Sequence, residues 1–517
     1  MPKKVMLGNE AIARGAWEAG CRVAAAYPGT PSTEILEAIA ADYREIYAQW
    51  SPNEKVALEV VAGASVAGAR SMAAMKHVGL NVAADPLFTF SYTGANGGFV
   101  IINADDPGAW SSQNEQDNRH YARAAKVPMI EPTSPAEAKE YTRMAFDISE
   151  QFDRPVIVRI TTRIAHSQGV VELGERRESE LRPFERNPQK YVMIPAHARP
   201  RHRFIEEQMP KLKEFSENSP LNTIEWKNKK RGIIADGVAY QYVKEVCPDD
   251  SVLKIGFIWP LPDRVIREFA EGVEELYVVE ELDPFIEDYV RAMGYKVTGK
   301  ELVPILGELT PEIVDMALNK KRPASDIPAY TSKIPGRPPA LCKGCPHGFV
   351  FEVLKKLDVV VNGDIGCYTL AVLPPYSAMH SQGCMGASIG MHTGFEKARP
   401  EMAGKSVAVI GDSTFIHSGI TPLIDLVYNK GTGTVLILDN RVTAMTGHQE
   451  NPATGVTLMG EETHELDLEL LCRAVGVKRV RKVDPKNMDE FEKTVREELE
   501  AREPSVIISS RKCILTK

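Results

Sequence analysis

The sequence has few cysteines, no long apolar run and no surplus of positive charge. Eight cysteines in 517 residues are too few for a disulfide framework. In a reducing compartment, spaced cysteines more often mean a metal or catalysis. No apolar stretch approaches the roughly 18 residues that a spanning helix needs, which predicts no membrane segment. Glu10, Arg14 and Glu18 interrupt any signal-peptide core after Met1-Pro2-Lys3-Lys4, so a cytoplasmic protein is expected. Lys and Arg number 62 against 70 Asp and Glu, a net charge of −8. That balance argues against a general nucleic-acid binder. What is present is an ordinary globular composition, 43% hydrophobic and 26% charged, which excludes disorder, collagen and coiled coil. At about 150 residues per domain, three or four domains are expected.

Short apolar runs alternate with helical patterns, which predicts doubly wound α/β domains. Val23-Ala24-Ala25-Ala26 runs into Tyr27-Pro28-Gly29-Thr30, and Thr30 with Pro31 predicts a helix start. Asn53 caps a second expected helix with Val56, Val60 and Val61 at helical spacing. Phe99–Ile102 and Pro155–Val158 read as buried strands, and Ser134-Pro135 as another helix start. Residues 176–231 are polar and read as a linker; residues 232–317 as a smaller α/β unit, with strands near Val252–Ile255 and Glu275–Val279. Residues 318–340, with many Pro and Lys, read as a second linker, leaving α/β segments over 1–175 and 341–517.

The most informative stretch lies late in the chain. Val407–Ile410 is an expected strand running into Gly411-Asp412-Ser413. A helix follows with Ile420, Leu423, Ile424 and Val427 on one face, and Gly431 and Gly433 end it. Val435–Leu438 then forms a strand ending at Asp439-Asn440. This βαβ unit puts Asp412 and Asn440 at the carboxyl ends of parallel strands, where open α/β sheets bind ligands. Their oxygens are hard donors suited to Mg²⁺ holding a diphosphate. Asp412 alone reads as a helix cap and Asn440 alone as a turn residue; together, at this spacing, they favour a metal.

On these residues the sequence resembles thiamine-diphosphate enzymes, whose motif begins Gly-Asp-Gly or Gly-Asp-Ser and ends in Asn about thirty residues on, as Gly411-Asp412-Ser413 to Asn440 does here. The resemblance implies thiamine diphosphate, with Mg²⁺ held by Asp412, Asn440 and the Val442 carbonyl. Gly383–Gly390, with Cys384 and Gly386, is similar to the small-residue helix start near the diphosphate, although close helix packing explains those residues equally well. Thiamine diphosphate needs a buried carboxylate against its aminopyrimidine ring. Asn53–Glu59 followed by Gly63–Arg70 resembles the pyrimidine-binding segment of 2-oxoacid:ferredoxin oxidoreductases, and the register from Gly63 and Gly68 matches Glu54 rather than Glu59. The competing reading is that Glu54 only favours a helix N-terminus.

Further stretches sharpen the resemblance. Tyr27–Pro31, with Thr30, is similar to the family's substrate loop. Met75–Asn81, Ser111–Asp117, Cys342–His347 and Thr443–Gln449 are similar to the indolepyruvate (arylpyruvate) branch, and the match spans nearly the whole chain. The implied fold has two doubly wound domains, one for the pyrimidine (1–175) and one for the diphosphate (341–517), flanking a transketolase-C-like α/β domain (232–317). His77 and His347 are candidates for the substrate pocket, or else satisfied core histidines. Gly447 lies in the loop after the metal strand. Met445 in that loop either faces an aromatic substrate side chain or fills a gap beside the cofactor. Cys342, Cys345, Cys367 and Cys513 occupy the places of four cysteines that hold a [4Fe–4S] cluster in related enzymes. A structural zinc site or small core residues are the alternatives. Cys21, Cys247 and Cys472 read as core residues.

The reaction implied is oxidative decarboxylation of an aryl 2-oxo acid, with coenzyme A taking the acyl group and electrons passing to ferredoxin. Partners follow from the family: a smaller catalytic subunit, ferredoxin or an iron–sulfur subunit, and a dimer of heterodimers or larger. A non-oxidative decarboxylase and a non-catalytic assembly subunit are the alternatives. In one respect the sequence departs from the family. Large subunits usually continue into a ferredoxin-like domain with two Cys-x-x-Cys-x-x-Cys-x-x-x-Cys-Pro runs, and none occurs through Lys517. Those clusters are expected on another subunit, lost, or outside this sequence.

Overall fold

The structure is a computed structural model, and it describes residues 2–178, 180–321 and 338–516. Compact units cover Met1–Pro328 and Ala329–Lys517. Most of the 318–340 stretch read as a linker, including Pro323 and Pro335, lies outside the described residues.

In the first unit, strand-forming runs assemble a seven-stranded sheet. Its order is Phe257–Trp259, Met129–Ile130, Val156–Thr161, Phe99–Asp105, Ser71–Lys76, Val23–Ala26 and Tyr47–Trp50. Pairing is parallel except at the Phe257–Trp259 edge. The central strands Phe99–Asp105 and Val156–Thr161 are buried along their whole length, as expected when helices cover both faces. From Val23–Ala26 the chain moves outward to Tyr47–Trp50, then returns to Ser71–Lys76 on the other side. That reversal opens a crevice between the carboxyl ends of Val23–Ala26 and Ser71–Lys76. A four-stranded sheet (Glu275–Val279, Asn228–Asp236, Asp250–Ile255, Thr223–Glu225) shares one apolar core with it, running from Ala25 to Val297. Lys3–Leu7 pairs antiparallel with Gln168–Glu172.

Three local expectations change. The helix after Gly29 starts at Thr33 with Ser32 at the cap, not at Pro31 with Thr30. Ser32 Oγ and N both donate to the Gly29 carbonyl, closing a turn before the helix begins. Asn53 does cap its helix, accepting from Val56 N at 2.9 Å, but the buried face carries Ala57, Leu58 and Val61. The 176–231 stretch holds a 23-residue helix, Pro195–Glu217, and then strand Thr223–Glu225. Internal Pro200 and Pro210 and a mostly exposed surface concealed that helix, since Pro normally interrupts one.

In the second unit, six parallel strands run Ser381–Gln382, Val360–Gly363, Ser406–Gly411, Thr434–Asp439, Ser505–Ser510 and Arg479–Val483. Apolar layers cover both faces. The chain reverses between Val360–Gly363 and Ser406–Gly411, so the binding crevice expected of this topology lies at Asp364 and Asp412. The helix after Asp412 passes through a π-helical turn, Phe415–Gly419, into Ile420–Tyr428. Its core face is Leu423 and Leu426; Ile424 is exposed, because the extra residue of the π turn rotates the face.

Candidate active site

In the first unit, three motifs separated in sequence meet at the crevice. Lys76, the last residue of a buried strand, donates from Nζ to the Ser111 carbonyl at 2.9 Å. His77 opens the next helix, fully buried, and its Nε2 lies 2.9 Å from Asn114 Oδ1. Asn81 and Gln116 exchange two amide hydrogen bonds. The Ser111 hydroxyl donates to the Thr30 carbonyl, tying in the Tyr27–Pro31 loop. Thr30 itself is half-buried. Asp106 holds the Ser111–Ser112 turn, accepting from Ser111 N, both serine hydroxyls and Thr162 Oγ1. Burial opposes its charge, but these bonds and nearby Lys76 hold the Asp106 carboxyl below its usual range.

Glu54 is the first residue of its helix and is only 5% exposed. Its carboxylate lies against Gly79, where an added Cβ would stand 2.6 Å from Oε1. Glu59 instead sits at the surface in an ion pair with Lys55. Burial lowers the Lys76 pKa, although the charges of Asp106 and Glu54 act against it.

In the second unit, Asp412 is buried at the end of Ser406–Gly411 and accepts from Ser413 N at 2.8 Å and Arg441 N at 3.1 Å. Burial, with the Asp439 carboxylate nearby, pushes its pKa up to about 7. One atom of the Asn440 amide lies 3.2 Å from Asp412 Oδ1 and 2.8 Å from the Val442 carbonyl oxygen: with the NH2 group there the amide donates to both, and with the oxygen there it meets two acceptors and takes only the bond from Val442 N at 3.3 Å. Arg441 adopts a left-handed φ of 59° between them, which turns the backbone at that point. With its oxygen turned inward, the Asn440 amide joins the Asp412 carboxylate and the Val442 carbonyl in a set of hard oxygen donors that fits a divalent cation. The Ser413 hydroxyl accepts from Thr443 Oγ1, closing the site laterally.

His347, in the first turn of helix Pro346–Lys356, is buried with its Nε2 at 3.4 Å from Asn440 Nδ2. Burial lowers its pKa to about 4, so the ring is neutral at pH 7 and fits an amide-holding role better than proton transfer. Met445 is 51% exposed on the loop that Thr443, Thr446 and Gln449 close by hydrogen bonds. Gly447 has a φ of 124°, and an added Cβ would stand 2.7 Å from Gln449 Nε2.

Sequence reasoning missed Asp364. Its fully buried carboxylate accepts from Ile365 N, Gly386 N and Ser388 N at 2.7–2.9 Å. It therefore fixes the Cys384–Ala387 turn and the start of helix Ser388–Ala398. The amides of Gly386 and Ser388, expected to face an anionic ligand, are engaged by this side chain. Burial raises the Asp364 pKa, and the amide bonds act against it. Gly386, at φ 87°, packs on Ser418 of the π turn, where a Cβ would be 2.4 Å away. Exposed Cys384 opens the same turn. A readable signal existed: Gly363-Asp364 repeats, at another strand's carboxyl end, the Gly411-Asp412 dipeptide.

The four candidate thiols are free and gather near this end of the sheet. Cys367 is perturbed by Cys342, Cys345 and Cys513, and Cys345 by Cys342 and Cys513; burial pushes Cys367 up to about 11. Cys513 lies three residues beyond the last strand, and its N donates to the Asn440 carbonyl at 3.0 Å. The Tyr368 hydroxyl, beside Cys367, accepts from Gly411 N and donates to the Ile365 carbonyl. Among the described residues, no three of these sulfurs lie within 4.8 Å of one another, wider than the roughly 4 Å that zinc imposes. Cys21 and Cys472 are core residues, with thiol pKa values pushed up to about 12 by burial; Cys247 is also buried.

Comparison with known proteins agrees with this layout. Residues 14–225 match the family "Pyruvate flavodoxin/ferredoxin oxidoreductase, thiamine diP-bdg", and residues 364–509 match "Thiamine pyrophosphate enzyme, C-terminal TPP binding domain". Indolepyruvate oxidoreductase subunit IorA of Archaeoglobus fulgidus is 43% identical over 99% of this chain and 87% of its own length. The subunits of that name from Methanothermobacter marburgensis and Pyrococcus abyssi are 43% and 42% identical, covering 87% and 86% of their lengths. A solved 2-oxoglutarate:ferredoxin oxidoreductase from Magnetococcus marinus shares the fold, with a TM-score of 0.51 and 17% identity over 62% of this chain and 65% of that one. Two thiamine-binding segments in this order, on a sequence that matches those subunits over 99% of its own length, place the chain in the IorA family of thiamine-dependent 2-oxoacid oxidoreductase subunits.

Proposed function

We propose that the chain is the thiamine-diphosphate-binding subunit of a cytoplasmic complex that oxidatively decarboxylates aryl 2-oxo acids. Coenzyme A takes the acyl group and ferredoxin takes the electrons. A smaller catalytic subunit completes the enzyme, assembled as a dimer of heterodimers or larger. When bound, thiamine diphosphate supplies the electron sink that decarboxylation requires. Glu54 binds the aminopyrimidine ring and moves its proton. Asp412, Asn440 and the Val442 carbonyl hold Mg²⁺, and neutral His347 keeps the Asn440 oxygen turned toward it. Thr30 and His77 line the substrate side. Met445 offers a thioether to an aromatic side chain.

The observation that supports oxidative rather than simple decarboxylation is the mutual influence of Cys342, Cys345, Cys367 and Cys513, the last of them bonded through its N to the Asn440 carbonyl. Four cysteines converging from separate segments suit a [4Fe–4S] cluster, an electron acceptor for the sink. The test is anoxic purification of the complex, with iron and acid-labile sulfide measured and turnover of phenylpyruvate assayed. About four irons per chain, and turnover that requires both coenzyme A and an electron acceptor, are expected. Aldehyde release without either reagent would refute the oxidative reading.

A further inference from the structure

We propose that Lys76 binds the carboxylate of the 2-oxo acid substrate. The proposal rests on the thiamine-enzyme reading above and assigns a residue which that reading leaves without a role. Lys76 stands at the carboxyl end of Ser71–Lys76, beside the crevice where strand order reverses in the first unit. It is 9% exposed, so its charge is largely withdrawn from water. An ammonium has three protons to donate, yet its one hydrogen bond is to the Ser111 carbonyl. No ion pair reaches it among the described residues. Asp106, one of the two acids whose charge it feels, is already bound by four donors. Glu54, the other, faces Gly79 and is assigned to the aminopyrimidine. A buried cation whose two nearby acids make no direct ion pair with it is poorly compensated, and a ligand carboxylate would supply that contact.

The surroundings fit that ligand. An aryl 2-oxo acid carries one charge, its carboxylate, next to the reacting carbonyl. Lys76 lies among the motifs that gather at the crevice: Ser111, which holds Nζ, also holds the Thr30 carbonyl. Gly29 makes room for the lysine, since a Cβ there would stand 3.3 Å from its Cγ and Cδ. The adjacent His77 Nδ1, also buried, has no hydrogen-bond partner and adds a second polar atom at the same turn.

The experiment compares wild type with Lys76→Met in the intact complex loaded with thiamine diphosphate and Mg²⁺. KM is measured for phenylpyruvate and for pyruvate, together with thiamine diphosphate affinity and the thermal midpoint. KM for whichever acid the wild type turns over is expected to rise about 30-fold or more, the effect of truncating one member of a buried charge pair. Cofactor affinity is expected to hold, and the midpoint to stay level or rise, because the free protein loses an unpaired buried charge. A KM within about threefold of wild type, too small for such a pair, overturns the assignment. So does a loss of cofactor affinity matching the loss in KM, which would make Lys76 a partner of Glu54. A variant too unstable to assemble overturns it as well, since that marks a structural lysine. Preference of the wild type for pyruvate would sink the aryl reading while leaving the Lys76 comparison decided on pyruvate.

Discussion

Single residues carry most of the chemistry, and their burial separates equivalent candidates. Glu54 and Glu59 lie on one helix, yet Glu54 is enclosed against Gly79 whereas Glu59 pairs with Lys55 at the surface. Glu54→Gln keeps the shape but cannot pass a proton. Turnover is expected to fall about 10²–10⁴-fold with thiamine diphosphate affinity retained, measured by single-turnover kinetics and calorimetry; near-wild-type rates would remove Glu54 from the mechanism. Glu281 gives a stability test away from this chemistry. Burial raises its pKa from 4.5 to about 7, against a stabilising bond from Leu309 N at 3.0 Å. A carboxyl whose folded-state pKa exceeds its unfolded one favours folding below the unfolded value, and that benefit disappears as pH rises through the folded value. Stability should therefore fall between about pH 4.5 and 7 from this group, by on the order of 3 kcal/mol. Glu281→Gln removes the dependence, so its thermal midpoint should gain on wild type between pH 5 and 8. A gain that shrinks with rising pH would contradict the assignment.

Elements decide how such side chains are aimed. At each crevice a carboxylate just past the end of a strand holds a later turn. Asp106 fastens the Ser111–Ser112 turn, and Asp364 fastens the Gly386–Ser388 turn. Asp364→Ala strips three backbone amides of their acceptor, and each unsatisfied buried group costs about 1–3 kcal/mol. The start of helix Ser388–Ala398 should loosen, and thiamine diphosphate affinity should drop by about tenfold or more, one such group's worth. Asp364→Asn, which keeps one acceptor, should lose less. Hydrogen exchange at Gly386 and Ser388 reports the loosening directly; unchanged exchange would show that the turn is held by other contacts. The π turn at Phe415–Gly419 serves the same end, bringing Ser418 against Gly386 and rotating Leu426 rather than Ile424 into the core.

At the scale of the whole molecule, the folded units do not follow the composition shifts of the sequence. One apolar core joins the seven- and four-stranded sheets, and strand Phe257–Trp259 of the middle segment completes the N-terminal sheet. Arg119 binds Asp117, Asp236 and Glu280 in a fully buried network spanning both segments. Such long-range pairing leaves no local pattern, whereas the helix within 176–231 was hidden by its internal Pro200 and Pro210 and its exposed surface. Strand and helix alternation, the Asn53 and Ser134 caps and the Gly411–Asn440 unit were legible, because each depends on neighbours in sequence or on a single repeat period. The sequence by itself determined the α/β class, the family resemblance and the placement of Asp412 and Asn440 at the ends of neighbouring parallel strands. Only tertiary structure decided that Asp364 holds the Gly386 turn, that His347 lies against Asn440, and that Lys76 is a buried cation beside Thr30 and Ser111. Each of these depends on contacts between residues 22 to 93 positions apart or on burial summed over several elements. Burial sets the electrostatics there, and it exists only once the chain has closed around the group.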